Sequence, residues 1–145
     1  MQLDKRERVI IVGCGRLGAR LATMLSDKGY QVVIIDNDDA AFRKLPESFG
    51  GFQVKADGID LDTLKYVDID EASVLVACTG NDNMNSLIAQ IASRIYGVPN
   101  VYVRFEDTEK ELLIKGFNIQ GIYPFKLTMG FFEESLFGDD EEDEE

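Results

Sequence analysis

The chain has 145 residues, of which 45% are hydrophobic and 29% charged, the balance of one globular domain. Its net charge is −12 and it has no histidine, which excludes histidine general bases, histidine metal ligands and Ser-His-Asp triads. Residues 139–145 are all acidic and hold seven of the excess negative charges, so neither this tail nor the mildly acidic remainder offers a basic footprint for nucleic acid.

Strand and helix signals alternate along the chain. Val9-Ile10-Ile11-Val12 is a continuous β-branched run, as for a strand buried on both faces. Residues 17–25 carry Leu17, Leu21, Met24 and Leu25 at helical spacing, and Lys28-Gly29 closes that helix. Val32-Val33-Ile34-Ile35 is a second buried strand. Residues 40–45 predict a short helix stopped by Pro46, 51–55 a weaker third strand, and 61–66 a brief helical turn. Val74-Leu75-Val76-Ala77-Cys78 is the fourth strand. The helix over 83–96 buries Leu87, Ile88, Ile91, Ala92 and Ile95 and ends at Gly97-Val98-Pro99. A fifth strand at 101–103, a helix over 108–115 and a sixth strand at 121–123 follow.

Six strands with intervening helices predict an α/β fold: a Rossmann-type doubly wound parallel sheet followed by a C-terminal amphipathic helix. The expected organisation is one domain over residues 1–137 and a disordered acidic tail over 138–145. No apolar run reaches the roughly eighteen residues of a membrane span, so direct membrane insertion is not expected. The mixed-charge N-terminus lacks the apolar core of a secretory signal, and two cysteines make no disulfide framework. The expected location is therefore the cytoplasm.

Gly13-Cys14-Gly15-Arg16-Leu17-Gly18 follows the first strand and opens the first helix. In such a G-x-G-x-x-G loop the first glycine makes the tight turn, the second admits a pyrophosphate to the backbone, and the third lets helix and strand pack closely. Free N–H groups and the helix dipole then favour an anion. Asp36 ends the second strand 18 residues after Gly18. A carboxylate there can accept from both hydroxyls of an adenosine ribose, and it disfavours NADP by repelling a 2′-phosphate.

With these residues in view, the chain resembles the TrkA-N or RCK nucleotide-binding regulatory domains of potassium transport systems, from about residue 8 to 137. The resemblance is carried by residues 10–18, by Val33-Ile34-Ile35-Asp36-Asn37-Asp38, by Lys55-Ala56-Asp57-Gly58, by Val103-Arg104, and most specifically by Ala77-Cys78-Thr79-Gly80-Asn81-Asp82-Asn83-Met84-Asn85. It implies phosphates near Gly13, Cys14, Gly15, Arg16, Leu17 and Gly18, a ribose at Asp36 and Asn37, and adenine near Asp57. It places Thr79, Gly80, Asp82 and Arg104 about the central crevice. The ligand it implies is NAD(H), ATP, ADP or AMP. The partner it implies is a membrane potassium-translocating subunit, which this chain, as a homo-oligomer on the cytoplasmic face, would control. Many relatives carry a second, C-terminal sensing domain, expected here to be absent or supplied by another chain. The family often has Gly-Asp-Ala where this chain has Ala56-Asp57-Gly58, which changes the loop near the base.

Several residues have a plainer reading beside the functional one. Arg16 is either a phosphate-reaching cation or an exposed helix arginine. Asp36 either grips ribose or caps the next helix. Asp57 meets the base or serves as a turn residue. One residue among Asn81, Asp82, Asn83 and Asn85 is an N-cap, while Asp82 or Asn85 could touch a ligand or a neighbouring subunit. Cys14 and Cys78, on adjacent strands in the order 3-2-1-4-5-6, are small buried thiols or a redox pair. The stripe Phe125, Met129, Phe132 and Leu136, with Leu127, Phe131 and Phe137 elsewhere on the helix, packs on its own sheet or crosses to a second subunit. The tail solvates the chain or binds magnesium or a basic partner.

Three function classes are thereby distinguished: a non-enzymatic nucleotide-binding regulator, an NAD-dependent oxidoreductase subunit lacking its substrate half, and an assembly module with an empty loop. The first is expected. The nucleotide fold uses up the chain, and no histidine or Tyr-x-x-x-Lys pair stands ready to move a proton.

Overall fold

The computed structural model describes the backbone of residues 7–144 and the side chains through residue 138. Six strands form one sheet in the order β3-β2-β1-β4-β5-β6, and every pairing is parallel. The strands are β1 (Arg8–Val12), β2 (Gln31–Asp36), β3 (Phe52–Lys55), β4 (Ala72–Ala77), β5 (Asn100–Arg104) and β6 (Ile119–Ile122). The helices are α1 (Arg16–Asp27), α2 (Leu61–Tyr66), α3 (Asp82–Gln90) and α4 (Pro124–Glu144). This is the expected doubly wound architecture with a helix after the last strand.

The continuous apolar runs are explained by the two sheet faces. Ile10, Val12, Val33, Ile35, Leu75 and Ala77 pack with Leu64 of α2 and with Ile88 and Ala89 of α3. Their sequence neighbours Val9, Ile11, Val32, Ile34, Val74 and Val76 pack on the opposite face with Ala19 and Ala22 of α1 and with Phe42 and Leu45. Successive side chains of a strand point to opposite faces, so a sheet covered on both sides needs apolar residues without alternation.

Three helical stretches differ from expectation. The segments after β2 and β5 are 3₁₀ helices, Asp39–Lys44 and Thr108–Leu113. Each starts on an aspartate, Asp38 or Asp107, whose side chain caps the second following N–H. Pro46 prevents the first from continuing. The helix expected over 83–96 is α-helical only through Gln90, and Ile91–Ile95 is a π-helical turn. The last helix, α4, extends to Glu144. Glutamate is a good helix former, although carboxylates at a helix C-terminus oppose its dipole.

Phe125, Leu127, Met129, Phe131, Phe132, Leu136 and Phe137 of α4 are all exposed in the single chain. That excludes the reading in which they pack on their own sheet. No helix among the described residues is long and apolar enough to cross a membrane.

Candidate functional site

The loop after β1 is built around close approaches. Gly13 has φ +110°, and a Cβ there would lie 2.7 Å from the carbonyl oxygen of Cys78. A Cβ on Gly18 would lie 1.9 Å from the carbonyl oxygen of Gly13, so α1 can start this close to the loop only without a side chain. Gly15 is different: a Cβ there meets nothing within 4 Å. Its side-chain direction points into open space, where a bound group can approach the backbone.

Asp36 closes the loop from the end of β2. Its Oδ2 accepts the Cys14 N–H at 2.8 Å and its Oδ1 accepts the Asp38 N–H at 2.8 Å. The carboxylate is therefore held by backbone on both sides, and each oxygen retains accepting capacity for a hydroxyl. The helix-capping alternative falls to Asp38, whose Oδ1 accepts from the Ala40 N–H.

On the other side of the crevice, Asn85 of α3 is fully buried. Its Oδ1 accepts from the Thr79 N–H at 2.8 Å and from the Thr79 hydroxyl at 2.6 Å. Its Nδ2 donates to the carbonyls of Thr79 at 3.0 Å and Arg104 at 2.9 Å. One amide thus fixes the ends of β4 and β5 together. Asn81 is the N-cap of α3 and accepts from the Met84 N–H. Asp82 accepts the N–H groups of Glu106 and Asp107 at 3.0 and 2.9 Å, so it anchors the loop after β5.

These loops surround a cavity of about 470 Å³ at the carboxyl edge of the sheet, over the point between β1 and β4 where strand order reverses. Sites of small-molecule size fall in this range, and open α/β sheets place them at this position. Of the residues singled out from sequence, Gly13, Cys14, Gly15, Asp36, Asn37, Asp57, Thr79, Gly80 and Arg104 line it. Arg16, Leu17, Gly18 and Asp82 do not. Arg16 and Leu17 are exposed at the start of α1, and Gly18 serves packing. Asp57 also forms a turn, its Oδ1 accepting from the Ile59 N–H at 3.1 Å.

The structure adds Lys44, Gly58 and Met84 to the lining. Lys44 follows Asp36 closely in sequence and could have been suspected from that charge alone. Gly58 carries a subtler signal, because a Cβ there would sit 2.3 Å from Val12 Cγ1, and only glycine lets this loop cross β1. The positioning amide of Asn85 has no signature beyond its place in the Asn-rich stretch.

The cavity mixes carboxylates with two cations, Lys44 and Arg104. Arg104 pairs with Glu106, while its Nε is buried without a partner. The cysteines beneath are free and buried. Burial, helped by the neighbouring Asp36, raises the Cys14 thiol. Burial pushes Cys78 up to about 12, against the opposing pull of Arg104. The Cys78 thiol donates to the Gly13 carbonyl oxygen at 3.6 Å. Both sulfurs are thus held as thiols at neutral pH, which leaves the redox-pair reading without support.

Residues 9–123 match the family model of the TrkA-N domain. The chain belongs to the TrkA-N domain family. This TrkA-N domain is 41% identical over 102 residues to the Trk system potassium uptake protein TrkA of Streptomyces coelicolor, covering 70% of this chain and 46% of that protein. It is 31% identical over 129 residues to the TrkA homolog of Methanothermobacter thermautotrophicus, covering 88% and 59%. The chain thus spans about half the length of these curated relatives.

Among solved structures, its fold is similar to the TrkA-N domain of the Escherichia coli inner membrane protein ybaL, with a TM-score of 0.78 and 18% identity over 92% of this chain and 99% of that one. It is also similar to the AMP-bound Kef C-terminal domain of Shewanella denitrificans, with a TM-score of 0.66 and 21% identity over 91% and 82%. A third likeness is to the GsuK channel bound to NAD, with a TM-score of 0.67 and 19% identity over 84% and 22%.

Proposed function

We propose that this TrkA-N domain is a cytosolic regulatory module that binds an adenine nucleotide and controls a membrane potassium-translocating subunit. The observation that carries the nucleotide reading is the Asp36 carboxylate, tied to the glycine loop through Cys14 N–H and facing the cavity beneath Gly15. Three features fit such a ligand. Gly15 leaves its Cβ direction open, the cavity is of nucleotide size, and Lys44 and Arg104 supply positive charge.

In this reading Asp36 accepts the ribose hydroxyls, the loop amides and Arg104 meet phosphate oxygens, and Asp57 and Gly58 lie by the base. AMP and NAD, held by the two nucleotide-bound solved folds, are both supported as ligand classes. The same Asp36 carboxylate would repel a 2′-phosphate, so NADP is disfavoured.

The role assigned is ligand sensing and not catalysis. A nucleotide moves a conformational equilibrium only through unequal affinity for its states. The exposed apolar surface of α4 supports a homo-oligomer in which the helix is covered by a second copy, and the nucleotide would then bias how the copies sit. The potassium assignment rests on the family and on the TrkA relatives.

The test is potassium flux through the reconstituted membrane subunit with this chain bound. Flux should change on adding NAD, ATP, ADP or AMP and should lose that response with Asp36→Ala. Flux indifferent to every adenine nucleotide contradicts the regulatory role.

A further inference from the structure

Arg104 and Glu106 form an ion pair at the rim of the cavity, and both backbones are anchored to α3. Arg104 is the last residue of β5, and its carbonyl accepts from the Asn85 amide. The N–H of Glu106 is held by Asp82, the first residue of α3. The guanidinium Nη2 donates to Glu106 Oε1. Arg104 lines the cavity whereas Glu106 does not. The pair is open to exchange, with side chains 29% and 55% exposed.

We infer that Glu106 sets the affinity and charge preference of this cavity by occupying Arg104 until a phosphate-bearing ligand replaces it. The inference rests on the nucleotide-binding reading above. An arginine beside an anion-seeking loop is a natural phosphate partner, because its planar donors match two oxygens at once. Here one of those donors, Nη2, already serves a carboxylate from two residues along the chain. An incoming phosphate must break that bond and approach a like charge. A half-exposed ion pair is weak, so phosphate can displace it, yet every phosphate ligand gives up part of its affinity in doing so. An uncharged nucleoside, which has no use for the guanidinium, is unaffected. Glu106 therefore acts as a threshold: it makes the site respond to ligand charge and concentration rather than saturate at low levels.

The test is calorimetric titration of the wild-type chain, Glu106→Gln, Arg104→Ala and the double variant, with ADP and with adenosine. Removing the carboxylate should tighten ADP about two- to fivefold. Adenosine affinity should not change, and the ADP gain should vanish when Arg104 is already alanine, which is the mark of direct coupling. An unchanged ADP affinity, or equal gains for ADP and adenosine, overturns the inference while leaving the nucleotide site intact. Failure of the site reading itself has a different signature: no protein in the set titrates with either compound, and both proposals then fall.

Discussion

The backbone N–H of Cys14 donates to Oδ2 of Asp36 across 2.8 Å. This bond joins the two sequence signals of a dinucleotide fold, the loop after β1 and the acid after β2, into a single rigid unit. With Asp38 N–H on the other oxygen, the carboxylate is aimed before any ligand arrives. Preorganisation of this kind lowers the ordering cost of binding.

Two of the loop glycines should separate folding from binding. Gly18→Ala places a methyl 1.9 Å from a backbone carbonyl oxygen and should cost about 1–3 kcal/mol or more, read as a lowered Tm. Gly15→Ala adds its methyl in open space at φ −80°, so stability should stay within about 0.5 kcal/mol while nucleotide affinity falls. Thermal melts and titrations on the two variants check the contrast.

Asn85→Ala should be severe despite altering no residue that lines the cavity. It leaves the half-buried Thr79 N–H without its partner and removes the tie between β4 and β5. The expected loss is about 1–3 kcal/mol of unfolding free energy in urea. Nucleotide binding should weaken as well, because Thr79 and Arg104 lose their common anchor.

Alkaline pH should expose the buried thiol energetically. Folded Cys78 keeps its proton up to about pH 12, whereas an unfolded cysteine releases it near its ordinary value of 9.0. Between those values the unfolded chain binds fewer protons, so stability falls as pH rises. The contribution is fully present below pH 9. Unfolding measured from pH 8 to 11 should show a shallower decline for Cys78→Ala than for wild type. Equal slopes would contradict the burial of this sulfur.

The apolar surface of α4 should govern self-association. Phe132 is 49% and Leu136 65% exposed, and charges there would prevent burial against a second copy. The double variant Phe132→Glu, Leu136→Glu should sediment as a monomer where wild type sediments as an oligomer, with an unchanged far-ultraviolet spectrum.

Much of this architecture was legible in local patterns. Short β-branched runs such as Val9-Ile10-Ile11-Val12 had no alternation, and that alone required a sheet covered on both faces. Glycine spacing with Asp36 behind it located one wall of the cavity. The opposite wall was less visible. Asp82, which the sequence offers as a contact to a ligand or a neighbouring subunit, holds the N–H groups of Glu106 and Asp107, because a short side chain at a helix start can reach a neighbouring loop as well as a cavity. Asn85 matters through four hydrogen bonds to residues that only the fold brings together. Gly58 is set by the packing of Val12 beneath it, a pairing absent from either local sequence. The 3₁₀ character of Asp39–Lys44 and Thr108–Leu113 also escaped apolar periodicity, since six residues are too few to distinguish three from 3.6 per turn.

The most direct test of the nucleotide site is calorimetric titration of the purified chain with NAD, ATP, ADP and AMP, beside Asp36→Ala. Wild type should bind at least one of them saturably, and Asp36→Ala should weaken that ligand at least about tenfold through loss of charged hydrogen bonds to the ribose. Equal affinity in the two proteins, or no heat from wild type with any of the four, would contradict the account.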